Sequence, residues 1–142
     1  MCIYIKYKMS ISWTYISKYS LENSPTESFG RELKIETEYK KFKQELKLKN
    51  ISLKENIMTN YFNDGKKYLL NLNKFPYNLV KEIQHNVLWI NPNYNSEFIN
   101  NNSKIYTLLK EIITKPFIVF KNSSTNMSIP DVIHYQVFIK NK

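Results

Sequence analysis

The chain has 142 residues, a hydrophobic content of 42% and a formal charge of +9. This length and apolar content are typical of one globular domain and exclude a disordered chain. Lysines break every apolar run of the first 13 residues, which therefore lack the apolar region of a secretory signal, and the sequence has no apolar run of about 18 residues that could cross a membrane. We therefore expect a cytoplasmic protein without a membrane partner. Its single cysteine, Cys2, excludes an internal disulfide and fits a reducing compartment.

Almost all of the positive charge comes from lysine, because Arg31 is the single arginine among 21 basic residues. The chain has no alanine and is rich in Lys, Asn, Ile and Tyr, a composition typical of an AT-rich genome. Its lysines are scattered, and we interpret them as a solvated surface. Nucleic acid is therefore a partner that the sequence allows but does not favour.

The start of the chain contains two short helical signals. We interpret residues 1–9 as an N-terminal extension and predict that residues 10–142 form a single domain. Ser12 is a suitable N-cap for a short helix over residues 12–19. A second helix start is predicted at Ser24, because a proline and, two residues further on, a glutamate follow it.

Two amphipathic helices are predicted next. The main helix spans residues 31–49, where one apolar stripe recurs at helical spacing, namely Ile35, Tyr39, Phe42 and Leu46. Ser52 and Glu55 form a capping box that predicts the following helix. Its predicted buried face is Leu53, Ile57, Met58, Tyr61 and Phe62. A DNA-binding helix-turn-helix is disfavoured, because Glu55 lies where a recognition helix needs basic residues.

In the second half of the chain, the sequence predicts several strands and one further helix. That helix is capped by Ser103 and follows a polar loop over residues 91–102. We expect an α+β domain in which three or four helices cover a small, mainly antiparallel sheet. The predicted strands of this sheet are residues 67–72, 83–90, 116–121 and 132–140.

Alternation within two of these strands assigns residues to faces of the sheet. His85 and Trp89 share one face of their strand. On the last strand, the better core face consists of Ile133, Tyr135, Val137 and Ile139. His134 and Gln136 therefore point to the other side, where we expect a cleft between the two histidine strands.

Several stretches, taken in order, carry a resemblance to a known family. The most specific stretch contains Phe75-Pro76-Tyr77 followed by Ile83, His85 and Trp89. The supporting stretches are Ser12-Trp13, Gly30-Arg31 with Tyr39 and Phe42, Ser128-Ile129-Pro130, His134 and Val137-Phe138. Together they resemble the fungal N-acetylglucosamine-induced protein family, a small domain of unknown function, over residues 10–140.

The resemblance implies no activity, substrate or cofactor. In that family a second histidine follows two residues after the one that matches His134, and this chain has Gln136 there. The change favours a binding role over a paired-histidine catalytic or metal site, because glutamine can still donate and accept hydrogen bonds. With the AT-rich composition, the resemblance fits a large DNA virus or a protist as the source.

The candidate ligand-binding cleft is defined by eight residues: Arg31, Tyr77, His85, Trp89, Ser128, Asp131, His134 and Gln136. Arg31 is notable because lysine cannot reproduce the planar bidentate fork that holds a carboxylate or phosphate. A structural salt bridge from Arg31 to Asp131 or Glu82 is the simpler interpretation.

Our leading hypothesis is a binding or regulatory domain for a small anionic metabolite, in which Arg31 holds the anion. One alternative is a hydrolase or transferase with His134 as base or nucleophile and His85 as acid. Another is a basic module that interacts with nucleic acid or protein. We assign no metal, because two histidines without a known spacing are a weak signal. Two glycines exclude a glycine-rich phosphate loop, and the sequence assigns no cofactor and no oligomeric state.

Overall fold

The computed structural model describes residues 9–122 and 132–141, so the predicted extension over residues 1–9 lies almost entirely outside the described part. Five α-helices occur in these ranges, and none is long and apolar enough to cross a bilayer. They are α1 (Trp13–Ile16), α2 (Leu33–Leu48), α3 (Leu53–Tyr61), α4 (Asn95–Phe98) and α5 (Asn102–Ile112). A short 3-10 turn, Pro92–Tyr94, precedes α4.

Four antiparallel strands form one sheet with the order β1-β2-β4-β3 in the described chain. They are β1 (Tyr68–Leu72), β2 (Ile83–Ile90), β3 (Phe117–Phe120) and β4 (His134–Lys140). The predicted α+β fold with a small antiparallel sheet is confirmed. Each predicted strand is present, with boundaries that differ by at most two residues.

The local capping signals explain where two helices begin. The Ser52 hydroxyl accepts from the Glu55 backbone N–H at 3.0 Å, and the Glu55 carboxylate accepts from the Ser52 N–H at 3.2 Å. This capping box was predicted and is confirmed. Ser12 likewise caps α1 by accepting from the Tyr15 N–H, although α1 ends sooner than predicted.

The predicted helix start at Ser24 is wrong. No helix lies between α1 and α2 in the described chain. The Ser24 hydroxyl instead lies 3.5 Å from the Ser20 carbonyl and accepts from the Lys121 N–H at 3.4 Å. A tertiary contact to the end of β3 therefore replaces the local cap that the sequence predicted.

The predictions for residues 91–102 also need correction. This segment is not a simple polar loop, because it contains the 3-10 turn and α4, and Phe98 within it is only 1% exposed. The cap of α5 is Asn101, whose Oδ1 accepts from the Lys104 N–H at 3.2 Å, rather than Ser103. Phe98 is buried against α5, and this packing orders a stretch whose polar composition predicts an irregular loop.

The strand register gives the sheet two different faces. His85 is opposite Phe138 and Trp89 is opposite His134, so these residues share one face, as predicted. We call it the site face, and its central members are His85, Val87, Trp89, His134, Gln136 and Phe138. We call the other side the core face, formed by Leu88, Ile90, Tyr135, Val137 and Ile139, which pack with α5 in one apolar cluster.

The site face has two separate apolar clusters. One contains Ile16, Phe29, Phe120 and Phe138 and receives the N-terminal segment. The other contains Ile57, Phe62 and Val132 and receives α3. His85, His134 and Gln136 are buried polar residues on the same face and belong to neither cluster. Polar groups that are removed from water in this way need hydrogen-bond partners, which makes this part of the sheet the place to look for a site.

Candidate functional site

Arg31 is held in one orientation just before α2. Its Nε–H donates to the Phe75 carbonyl at 2.7 Å. The guanidinium carbon lies 4.7 Å from the ring centroid of Tyr39 and 5.4 Å from that of Tyr77. The side chain is 17% exposed. Aromatic rings therefore support the cation, while most of its N–H groups are left for other partners.

The ion pair of Arg31 differs from the predicted one. Its Nη1 lies 3.5 Å from Oε2 of Glu36, on the first turn of α2. Glu82 forms no ion pair with Arg31 in the described chain, and Asp131 lies outside the described residues. The helix that follows Arg31 brings Glu36 close to it, so among the described residues a local acid takes the place that the prediction gave to Glu82, while the pairing with Asp131 stays a prediction. Within residues 9–122 and 132–141, a single contact of this length leaves the guanidinium fork largely unpaired.

His85 is a buried, neutral residue with one tautomer. Its ring lies between the rings of Tyr77 and Phe138, at centroid distances of 4.5 and 4.6 Å. Nδ1 accepts from the Tyr77 backbone N–H at 3.1 Å, so the proton of the neutral ring is on Nε2. That Nε2–H donates to Oε1 of Gln136 at 2.6 Å. Burial lowers the pKa of His85 to about 3.

A further contact of His85 is not a hydrogen bond in this tautomer. Nδ2 of Asn73 lies 3.4 Å from Nε2 of His85. Oδ1 of Asn73 accepts from the Phe75 N–H at 2.8 Å, which identifies Nδ2 as the donor end of this amide. Two N–H groups therefore face each other at this contact. The structure places His85 behind the candidate cavities, where it reaches them through Gln136.

His134 has the opposite tautomer. Its Nδ1 lies 2.7 Å from the Val132 carbonyl and must donate to it, so Nε2 of the neutral ring is an acceptor. The Trp89 ring packs against the imidazole at a centroid distance of 5.0 Å. Burial lowers the pKa of His134, and the charge of nearby Lys121 acts in the same direction. Within the described ranges, Nε2 has no hydrogen-bond partner.

Two neighbouring cavities share three of these residues, Arg31, His134 and Gln136. The first cavity, of about 90 Å³, lies between α2, α3 and the site face. Its described lining contains Lys74 and no carboxylate, and its aromatic members are Tyr39, Phe42, Tyr61, Phe75 and Trp89. The second cavity, of about 50 Å³, is lined in addition by Glu27, Ser28, Phe29, Tyr77 and Asn122. A water needs roughly 10–15 Å³, so each cavity has room for several waters or a small ligand group.

The structure brings together most of the predicted site residues that it describes. Arg31, His134 and Gln136 line both cavities, Trp89 lines the first and Tyr77 the second. The predicted residues Ser128 and Asp131 lie outside the described residues. No three His, Cys, Asp or Glu side chains come together as metal ligands in the described part of the chain.

Sequence reasoning did not assign the aromatic wall to the site. The Phe75 ring lies 4.9 Å from that of Tyr39 and 5.4 Å from that of Phe42, between centroids. Two signals were available, since Tyr39 and Phe42 share the apolar stripe of α2 and Phe75 opens the most specific stretch. The stripe was interpreted as one face of an amphipathic helix, and Phe75 only as part of the family resemblance. Asn122 was also missed, and its Nδ2 donates to the Tyr77 hydroxyl at 2.9 Å.

Comparison with known proteins identifies a matching family and a solved structure with a similar fold. A family model described as "Protein of unknown function (DUF3605)" matches residues 12–140. The predicted resemblance to a small domain family of unknown function is thereby confirmed. No match is found among curated proteins. A solved structure described as "Crystal Structure of HTC1" is similar, with a TM-score of 0.57 and 14% identity over 91% of this chain and 84% of that chain. At this identity the likeness shows the fold alone.

Proposed function

This chain belongs to the DUF3605 family of proteins of unknown function, and we propose that it is a cytoplasmic domain that binds a small organic anion. The observation that carries this proposal is the meeting of Arg31, Gln136 and His134 at the junction of two cavities. One fixed cation and two buried polar side chains converge there on space that no described side chain fills. Such a combination of a concave pocket with a few convergent polar groups is typical of ligand sites.

The charge around the first cavity supports an anionic ligand. Arg31 and Lys74 line it, and no carboxylate of the described chain does. Glu36 takes one long contact from Arg31, so the guanidinium keeps donors for a second partner. An arginine supported on aromatic rings loses little conformational freedom when it binds an oxyanion.

The walls of the first cavity support a ligand with an apolar or aromatic part. Five aromatic side chains line it, and Phe75 packs closely on two of them. Rings of this kind stack on planar ligand groups and exclude water from the charged contact. The ligand class that fits both properties is an organic anion with a ring attached.

A hydrolase is the second candidate, and one observation favours it. The Val132 carbonyl holds the proton of His134 on Nδ1, which leaves Nε2 as a base at the cavity junction. His85 is unsuited to the acid role, because its proton is donated to Gln136 inside the protein. Turnover would therefore rest on His134 alone, without the acid partner that we had assigned.

The test is a thermal-shift and calorimetry series with inorganic phosphate, phenyl phosphate, benzoate and the cation benzylamine. We expect phenyl phosphate to bind wild type, and ligand at a hundredfold excess over Kd to add about 2.7 kcal/mol to the free energy of unfolding. Arg31→Met should lose this shift, because the substitution removes the guanidinium group that would bind the anion. Lys110→Met, which removes one exposed charge from α5, is the matched control and should keep it.

The outcomes separate the hypotheses. Equal shifts in Arg31→Met and Lys110→Met, or an equal shift with benzylamine, would contradict the anion site. Release of phenol from phenyl phosphate, abolished in His134→Gln, would establish the hydrolase instead. Absence of any shift would direct the search to macromolecular partners.

A further inference from the structure

Resting on the proposed anion site, we infer that the bound oxyanion carries a proton, so that the site selects a phosphate monoester over a sulfate ester. The reason is the pattern of donors and acceptors at the cavity junction. Three hydrogen bonds inside the protein fix that pattern before any ligand binds.

Gln136 is oriented by a chain of hydrogen bonds that starts at the backbone. The Tyr77 N–H occupies Nδ1 of His85, which places the ring proton on Nε2. Nε2–H then donates to Oε1 of Gln136, so the oxygen of this amide is directed away from a ligand. Gln136 lines both cavities, and its NH₂ group has no partner within residues 9–122 and 132–141. Gln136 therefore presents donors to the ligand, and His85 is the positioning residue behind it.

His134 presents an acceptor to the same space. Its Nδ1–H is used by the Val132 carbonyl, which leaves the lone pair of Nε2 as the free polar feature of the ring within the described residues. The charged groups around this ring are Arg31 and Glu27, which line the second cavity with it, Lys74, which lines the first, and Lys121. Three of these four groups are cations, and cations oppose protonation of the imidazole.

Glu27 does not cancel the anion site, because its carboxylate is engaged elsewhere. The Tyr15 hydroxyl lies 2.7 and 2.9 Å from its two oxygens, and the Tyr19 hydroxyl donates to one of them as well. Both carboxylate oxygens of Glu27 therefore already accept hydrogen bonds from tyrosine hydroxyls.

Two donors and one acceptor match a singly protonated phosphate group. Arg31 and Gln136 donate to ionised phosphate oxygens, and the remaining P–OH donates to Nε2 of His134. A phosphate monoester carries such a proton below its second pKa, which is about 6. A sulfate ester has the same shape but no proton at neutral pH, so an anionic oxygen would face the unpaired Nε2 lone pair. An unpaired buried acceptor is the repulsive element that gives selectivity.

The tautomers can be measured directly, because His85 and His134 are the two histidines in the chain. We expect imidazole nitrogen NMR at about pH 6 to show one ring protonated on Nε2 and the other on Nδ1. His85→Phe should remove the Nε2-protonated ring from the spectrum. A cationic His134 at this pH, or His85 protonated on Nδ1, would overturn the inference without any ligand present.

Binding of phenyl phosphate and phenyl sulfate at about pH 6 is the second test. Wild type should bind the phosphate about tenfold or more tightly, the penalty for one unpaired acceptor. Gln136→Glu keeps an acceptor for His85 but replaces the donors with an anion, and should weaken phosphate binding about 10- to 100-fold. Gln84→Glu is the matched control. It makes the same change from amide to carboxylate, but Gln84 lies on β2 and points to the opposite face of the sheet.

The results distinguish this inference from the proposed function. If wild type binds both esters equally, or if Gln136→Glu binds phosphate as wild type does, the inference fails and the anion site stands. If wild type binds neither ester while both variants remain folded, the anion site itself fails and the inference with it.

Discussion

The two faces of the sheet use alternate residues of the same strands for opposite purposes. On β4, Val137 of the core face is fully buried among apolar side chains, whereas Gln136 of the site face is 6% exposed and hydrogen-bonded to a histidine. These two side chains are buried to a similar extent. The core face gains free energy from burial, while the site face must satisfy each polar group to avoid a loss. A chain that keeps polar residues at such depth gives up stability there, which is typical of a face shaped for binding.

The largest expected effect concerns the core face alone. Leu109 of α5 is fully buried in its cluster. Leu109→Ala should lower the free energy of unfolding by about 2–5 kcal/mol, because it leaves a cavity. Urea unfolding measures this loss, and the folded variant should retain the phenyl phosphate affinity of wild type. A large loss of affinity in folded Leu109→Ala would show that the two faces are not independent.

Lowering the pH should reduce the free energy of unfolding, because the site face contains two buried histidines. The folded protein holds the pKa of His85 at about 3, against an ordinary value of 6.5, so the unfolded chain binds the proton first as the pH falls. The contribution of neutral His85 to the free energy of unfolding is complete above the pKa of this residue in the unfolded chain. It is lost as the pH falls from that value to the pKa in the folded protein. From about pH 7 to about pH 5 the loss should be about 2 kcal/mol from His85. The lowered pKa of His134 acts in the same direction.

Urea unfolding at several pH values measures this slope. His85→Phe keeps an aromatic ring between Tyr77 and Phe138 and should flatten the dependence, even if its stability at neutral pH is lower. A wild-type stability that is constant over this pH range would show that His85 is not buried in the neutral form.

The smallest expected effect concerns α3, which supplies part of the first cavity. Ser52→Ala removes the capping box and should lower the free energy of unfolding by about 1 kcal/mol. Ser103→Ala is the control, because Ser103 is an exposed serine next to a helix start that Asn101 caps instead. Equal effects of the two substitutions on thermal unfolding would contradict this assignment of the caps.

The sequence by itself determined those features that depend on neighbours along the chain. Period-two alternation placed His85 with Trp89 and His134 with Gln136, because successive strand residues point to opposite faces. The spacing of apolar residues identified α2, and Ser52 with Glu55 identified the start of α3, since both signals act within a few residues. The local signal at Ser24 failed, because a contact to the distant Lys121 outweighed it.

Only the tertiary structure decided the chemistry of the site. The tautomer of His85 depends on the Tyr77 N–H eight residues away and on Gln136 on another strand. The orientation of Arg31 depends on the Phe75 carbonyl and the Tyr39 ring. A sequence specifies which groups are available as donors and acceptors. Which of them are used inside the protein, and which remain for a ligand, is set by long-range packing that no local pattern encodes.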